Sequence, residues 1–392
     1  MSTENKKVTV IGGGIAGLTA AWELSRFGVN VDLVEKACFL GGHAIGFCCK
    51  ATDACVQCGA CSVEDMLKKV VDEPAIKIHL STEIESITKK NSFEIVVKKS
   101  IPSSEKAVNG VLTGFSKNNQ PLNVIVDKDK AGNAPKGAVY AGDLGTSGVL
   151  EADAVVLATG FLPFNADNKK TYGYGKFKNV ITGLDLESIK RDHGGVVRPS
   201  DGQKPEKIAF IQCVGSRDER LGNLWCSKVC CPYALRMAED VKFKNEAASI
   251  SIFYMDIQNT GRNFPGFYEK CKSRMDFVRT IPVDVFPMED DSLKMRYLNE
   301  ETGLPAEDIF DLIVLSVGIT PGADNKTLAE QFHVGINPDG FLAASDPLNR
   351  SKTESEGVFI AGTVEGPKTI ADSMSHAGQA AGEAMRYLGV SK

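Results

Sequence analysis

The sequence predicts an α/β fold: one Rossmann-like domain built on a parallel sheet, interrupted by a second Rossmann-like domain. Three observations predict it. Residues 7–36, KVTVIGGGIAGLTAAWELSRFGVNVDLVEK, read as strand, glycine-rich turn, helix and strand in that order. KIAFIQCVG at 207–215 restarts with a strand and a turn, followed by a helical stretch and another strand. Apolar strands at 154–164 and 357–362 then supply further members of a buried sheet. The expected division is 1–185 for the first part of the dinucleotide domain, 186–290 for the inserted domain and 291–392 for the second part.

Taken in order, Val8 to Ile11 is an apolar strand, and Gly12, Gly14 and Gly17 follow at G-x-G-x-x-G spacing. The three glycines serve a tight turn, close backbone approach to a pyrophosphate, and close helix–strand packing. Ile15 to Phe27 reads as the helix, whose N-terminus offers free N–H groups to phosphate. Asn30 to Val34 is the second strand, and Glu35, followed by Lys36, stands where an acid accepts hydrogen bonds from a ribose. Leu40-Gly41-Gly42 again lets backbone lie close to a cofactor. Glu64 to Val71 predicts a short helix, and residues 76–99 predict paired strands. Residues 103–150, rich in Gly, Asn, Lys and Ser, predict a loop-rich insertion. The strand at 154–164 carries Ala158-Thr159-Gly160. Residues 168–206 read as a polar crossing into the inserted domain. There, Leu235 to Phe243 reads as a helix and Ser249 to Asp256 as a strand. Asp311 to Gly318 reads as a strand returning to the first domain, and Gly357 to Gly362 precedes Pro367 and a helix from about Thr369 to Tyr387.

Composition bounds the function. With 45 basic and 50 acidic side chains among 392 residues, the net charge of −5 gives no footprint for nucleic acid. The start, MSTENKK, is polar and predicts no signal peptide, and no apolar run is long enough to span a bilayer. The expectation is a cytoplasmic protein that meets a membrane only through a partner, at its inner face.

The eleven cysteines are grouped. In a reducing compartment such groups mean metal or redox chemistry more often than structural disulfides. Cys55, Cys58 and Cys61 form CVQCGAC, with Cys48 and Cys49 just upstream. Three thiolates at this spacing suit one face of a [4Fe–4S] cube, with Cys49 or Cys48 as fourth ligand. Zinc and a redox disulfide are the rival readings. Cys213, Cys226, Cys230 and Cys231 form the second group, and Cys38 and Cys271 stand alone. Cys213 occupies the place where a second glycine-rich turn would start.

A Rossmann-like domain split by a second βαβ unit resembles the plan of two-dinucleotide-binding-domain flavoproteins. The likeness lies in Gly12 to Gly17, in the strand ending Ala158-Thr159-Gly160 and in the strand–turn–helix at Gly357. It implies FAD, with contacts at Gly42, Gly362, Thr363 and Ile370, and a last helix whose N-terminus faces the flavin ring. Many such proteins carry Asp after the late glycine, where this chain has Thr363. His43 and His376 flank this region and read as packing or hydrogen-bonding residues.

A narrower resemblance rests on IQCVGSRDERLGNLWCSKVCCPYAL at 211–235, IFYMDI at 252–257, YGYGKFKNVIT at 172–182, DLIVLSVG at 311–318 and AGTVEGPKTIADSM at 361–374. These segments resemble the flavin-bearing A subunit of heterodisulfide reductase and the A subunit of the quinone-interacting complex of sulfate reducers. The resemblance implies a [4Fe–4S] cluster on Cys213, Cys226, Cys230 and Cys231. A second cluster, at Cys49, Cys55, Cys58 and Cys61, is the reading of the first group. Where that family often has Lys near the flavin N5, this chain has Arg236, which keeps the charge but does not release its proton readily. The ferredoxin-like segments of the longer subunit have no counterpart after Val390, which favours the quinone-complex subunit or a related short form.

The implied function is electron transfer between flavin, clusters and partner subunits, with an iron–sulfur protein as donor or acceptor. Cysteine in place of the second glycine turn predicts no direct use of NAD(P)H. The rivals are a free-standing NAD(P)H-dependent disulfide or polysulfide reductase using Cys49 and Cys55, and a scaffold that keeps FAD for structure alone.

Overall fold

In a computed structural model, residues 6–37, 39–99, 147–258 and 264–390 are described, with short backbone strands between 106 and 144. Cys38 and most of the expected insertion at 103–150 lie outside the described residues. The chain forms two compact units: Met1–Phe47, Gly59–Leu162 and Pro321–Lys392, and Cys48–Cys58 with Pro163–Thr320.

The first unit holds a six-stranded parallel sheet in the order Asp143–Leu144, Ile76–Leu80, Asn30–Val34, Lys7–Ile11, Ala154–Leu157 and Val358–Ile360. Its central strands are apolar because both faces are covered, one by helices and the other by antiparallel strands with the short helix Asn325–Phe332, and Val8, Val10, Leu33 and Val156 are buried. The helices Ile15–Ser25 and Ile370–Leu388 pack on this sheet. Ala377, Ala380, Ala381 and Ala384 are fully buried, and these small side chains let the last helix come close. The paired strands Thr82–Lys89 and Phe93–Lys99 are antiparallel and join Gly148–Ala152 in a separate sheet.

The second unit has its own five-stranded parallel sheet, ordered Val180–Thr182, Leu312–Val317, Lys207–Val214, Ser249–Tyr254 and Asp276–Arg279. A three-stranded antiparallel sheet, Asp284–Pro287, Leu293–Asn299 and Leu304–Phe310, completes it.

Three expectations are corrected. The strand at 311–318 does not return to the first domain. Leu312–Val317 pairs with Lys207–Val214 and Val180–Thr182 in the second unit, because its apolar run matches an interior place in that sheet. The unit boundaries therefore fall at 163 and 320 rather than 185 and 291, and 48–58 goes with the second unit. Finally, the polar stretch at 168–206 contains the helix Gly183–His193, started by a capping box between Thr182 and Asp185.

Two helices begin earlier than the apolar pattern marks. Ala60–Val71 takes Cys61 into its first turn, after Gly59 in the left-handed region at φ +78. Cys230–Lys244 opens on the Cys230-Cys231 pair, with Pro232 in the first turn, where a missing N–H costs nothing.

Candidate functional site

Within the first unit, the glycine turn is shaped by packing. Gly12 sits at φ +105, and a Cβ there would come 2.4 Å from the Ala158 carbonyl oxygen. A Cβ on Gly17 would come 1.8 Å from the Gly12 carbonyl oxygen. At Gly14 the same atom would meet nothing within 4 Å. Two glycines are thus demanded by neighbouring backbone, and the middle one faces open space. Gly14 is also the N-cap of Ile15–Ser25, and no side chain caps that helix. Its first-turn N–H groups remain available to an anion. Gly42, at φ +56, lies so close that a Cβ would come 3.1 Å from the Gly14 Cα.

Around this turn, Thr159 Oγ1 is buried without a hydrogen-bond partner among the described residues. An orphaned hydroxyl beside Gly12 is what a bound group would satisfy. A Cβ on Gly160 would lie 4.0 Å from Thr363 Oγ1. Gly362 holds φ +73 against Ala16 and donates its N–H to His376 Nδ1 at 3.1 Å. Burial, with the nearby charge of Lys368, pushes the His376 pKa down to about 4, so this ring is a neutral acceptor. Ile370 opens the last helix behind a Thr369–Asp372 capping box. A Cβ on Gly59 would stand 3.2 Å from Ile370 Cβ, which places the head of the Cys61 helix on the head of the last helix.

Glu35 has a role that spacing alone does not reveal. One carboxylate oxygen accepts the Gly13 N–H at 2.6 Å and the other the Ala37 N–H at 2.7 Å. Burial raises its pKa, and the N–H bonds oppose that rise. Glu35 therefore braces the turn, with a second lone pair on each oxygen left for a ribose. Lys36 is exposed and bridges to Asp324 at 3.1 Å and Glu83 at 3.5 Å. His43 Nε2 lies 3.1 Å from the Phe161 carbonyl, and burial lowers its pKa.

In the second unit, the strand Lys207–Val214 shifts register between Ile211 and Val214, and Cys213 adopts φ +59. A left-handed conformation suits glycine and costs a cysteine roughly 1–2 kcal/mol. Ser216, Ser227 and Gly318 pack tightly beyond it: Ser227 Oγ accepts the Ile319 N–H at 2.7 Å and contacts Ser216 Oγ. The Trp225 indole donates to the Ile319 carbonyl at 2.9 Å. These bonds hold Cys226 against the same strand end. Cys230 and Cys231 arrive at the first turn of Cys230–Lys244.

The four thiols are near neighbours electrostatically. Burial first, then the adjoining thiols, drives Cys213 up to about 12 and Cys230 well above its ordinary value. Cys231 rises to about 11, chiefly through burial. Arg217, paired with Asp256 at 2.5 Å, opposes this at Cys213 and Cys231. Among the described residues, no three His, Cys, Asp or Glu side chains gather closely enough to hold a single metal ion.

The first cysteine group is more exposed. Cys49 and Cys55 are exposed and Cys58 is half-buried; all three lie in the segment that goes with the second unit. Cys61, also exposed, belongs to the first unit. Cys49 Sγ accepts the Ala51 N–H at 3.5 Å, Cys55 Sγ the Gln57 N–H at 3.4 Å, and Cys226 Sγ the Lys228 N–H at 3.3 Å. Cys48 behaves oppositely. Its S–H donates to the Glu187 carbonyl at 3.4 Å, its N–H donates to Glu187 Oε2 at 2.9 Å, and burial raises its pKa. Glu187 also pairs with Lys50 in full burial. Sequence reasoning missed Glu187 because the polar stretch that carries it reads as a crossing; the capping box Thr182-x-x-Asp185 was the available signal.

Arg236 is half-buried on the helix Cys230–Lys244. Its Nε donates to the Val56 carbonyl at 2.9 Å; burial lowers its pKa, and the neighbouring Cys58 and Cys55 oppose that fall.

Comparison with known proteins agrees with this architecture. The NAD(P)-binding Rossmann-like domain family matches residues 10–48. The chain is 31% identical to the A subunit of the H2:CoB-CoM heterodisulfide, ferredoxin reductase of Methanothermobacter marburgensis, over 96% of this chain and 63% of that one. It is 31% identical to the A subunit of the ferredoxin:CoB-CoM heterodisulfide reductase of Methanosarcina mazei, over 99% of this chain and 54% of that one. The iron–sulfur A subunit of the CoB–CoM heterodisulfide reductase of Methanocaldococcus jannaschii is 30% identical over 96% of this chain and 63% of its own. The chain thus spans less than two thirds of these relatives. Among solved structures, thioredoxin reductase from T. acidophilum aligns with TM-score 0.58 at 15% identity, covering 98% of this chain and 99% of that one. Thioredoxin reductase from Lactococcus lactis aligns with TM-score 0.59, again at 15% identity and with the same coverage of both chains. These structures share the two-dinucleotide-binding-domain fold.

Proposed function

The chain belongs to the heterodisulfide reductase A-subunit-like family, and from that premise we propose that it is an FAD- and iron–sulfur-dependent electron-transfer subunit of a heterodisulfide-reductase-like or quinone-interacting complex. The observation that carries the reading is the pairing of an open glycine turn in one unit with four neighbouring thiols at the equivalent strand end of the other.

FAD is assigned to the first unit. Gly12, Gly14, Gly17 and Gly42 leave room for its pyrophosphate, Glu35 and Lys36 stand at the ribose end, and Ala158, Thr159, Gly160, Gly362, Thr363 and Ile370 line the remainder. The bound flavin supplies exchange between two-electron and one-electron traffic. The chain's own residues fix the turn through Glu35 and keep a neutral imidazole at His376 behind Gly362.

Cys213, Cys226, Cys230 and Cys231 are assigned as ligands of a [4Fe–4S] cluster. Four neighbouring thiols, brought together by the end of one strand and the head of the next helix, suit a [4Fe–4S] cube, and zinc is the alternative that metal analysis separates. Raised thiol pKa values mean that loading iron must displace protons. For the first group, Cys49, Cys55, Cys58 and Cys61 are assigned to a second cluster. Cys49 is preferred to Cys48, whose thiol is engaged with Glu187. Partner subunits and an iron–sulfur protein complete the path, and any membrane is reached through them; no helix among the described residues is long and apolar enough to cross one.

The test is anaerobic purification with flavin, iron and acid-labile sulfide measured per chain. Flavin with iron and sulfide, and no bleaching of the flavin by NADH or NADPH, is expected. Flavin without iron, bleached rapidly by either nucleotide, would instead establish the disulfide-reductase reading.

A further inference from the structure

Arg236 is the residue whose surroundings differ most from its expected role. It lies six residues after Cys230 on one helix, about 9 Å along the axis. Its Nε holds the Val56 carbonyl at 2.9 Å, in the middle of the Cys55–Cys58 turn. No carboxylate among the described residues pairs with it, so a half-buried guanidinium carries its full charge beside two thiols. The turn it grips has other anchors in the same unit: Cys48 and Lys50 on Glu187, and Asp53 on Lys270 at 3.4 Å. Arg236 is the anchor placed between two cysteines. Gln57 holds φ +52 there, and its N–H points back to Cys55 Sγ at 3.4 Å.

We propose that Arg236 is a positioning residue for the first cysteine group: it clamps the Cys55–Cys58 turn through the Val56 carbonyl and sets the reduction potential of the cluster those cysteines hold. The second half rests on the cluster assigned above to Cys55 and Cys58; the clamp does not. A cluster that gains one electron gains one negative charge. A fixed, uncompensated cation nearby favours that reduced state and raises the potential. The helix Cys230–Lys244 then serves both groups, with thiols at its head and the guanidinium further along.

Two variants test this in the full chain. For the clamp, amide hydrogen exchange is followed in metal-free protein. Arg236→Gln and Arg236→Lys should both speed exchange at residues 55–58 several-fold, with Lys207–Val214 still protected, because neither can donate as Nε does. Unchanged exchange at 55–58 would overturn the clamp whatever the iron content. For the charge, an anaerobic redox titration is followed by electron paramagnetic resonance in iron-loaded protein. Arg236→Gln should lower the midpoint of the first cluster and Arg236→Lys should restore part of the shift, with the second cluster and the flavin unmoved. Equal midpoints in wild type and Arg236→Gln, or a shift confined to the flavin, would overturn the electrostatic role. Wild-type protein lacking iron at Cys55 and Cys58 would instead remove the cluster reading while the exchange result stands.

Discussion

The strand Lys7–Ile11 ends in a turn with an open centre; the strand Lys207–Val214 ends in one that is filled. In the first, a Cβ on Gly14 meets nothing within 4 Å, and the helix starts at Ile15. In the second, a Cβ on Gly215 would come 2.0 Å from the Phe164 ring, Cys213 takes the left-handed backbone, and the helix waits until Cys230. Both strands sit inside a parallel sheet, so the architecture is held constant. The difference lies in a few residues after the strand. Small residues with bare N–H groups make a phosphate cradle, whereas thiols and a longer connection make a place for iron. On the proposed reading one scaffold would carry two redox chemistries, because the strand end, not the sheet, would decide the ligand.

The largest expected effect separates packing from binding within the first turn. Gly17→Val would drive a side chain into the Gly12 carbonyl and should cost 3 kcal/mol or more, at the high end of the roughly 1–3 kcal/mol typical of overpacking, read as a lowered melting temperature and poor recovery. Gly14→Val faces open space and should change stability by less than about 1 kcal/mol while the protein purifies without flavin. Full flavin content in a folded Gly14→Val protein would show that the cradle lies elsewhere.

A smaller effect sharpens the contrast from the other side. If Cys213 stands where a glycine would be at ease, Cys213→Gly should leave metal-free protein more stable than Cys213→Ala by about 1 kcal/mol in urea unfolding. Both variants should fail to load iron at that site. Equal stability of the two would mean that the left-handed backbone there is not strained, and the parallel with a glycine turn would fail.

The first turn was legible in the sequence because its signal is local. Strand, turn, helix and strand fall within thirty residues, and Gly17 answers to the Gly12 carbonyl inside that stretch, although the demand on Gly12 comes from Ala158, far along the chain. The strand Leu312–Val317 was legible as a strand but not as a member of the second sheet, since pairing across a hundred residues leaves no periodic trace. The helix Gly183–His193 was hidden because charged residues sit on its buried side: Glu187 and Lys190 are buried with Leu186, so no apolar period marks it. Cys213, Cys226, Cys230 and Cys231 could be grouped from spacing. That Cys48 is tied to Glu187, and that Arg236 faces Cys55 and Cys58, depends on tertiary placement and has no signature in the chain order.

The central claim, that the filled turn holds iron while the open turn holds flavin, meets its most direct test in Cys230→Ser purified without oxygen. Cys230 is buried, its S–H reaches only the Val317 carbonyl at 3.7 Å, and the other three thiols of its group stand around it. The account predicts that iron and sulfide fall by the equivalent of one cluster, that electron transfer to partners is lost, and that FAD content stays near the wild-type value. Unchanged iron and electron transfer in this variant would contradict it.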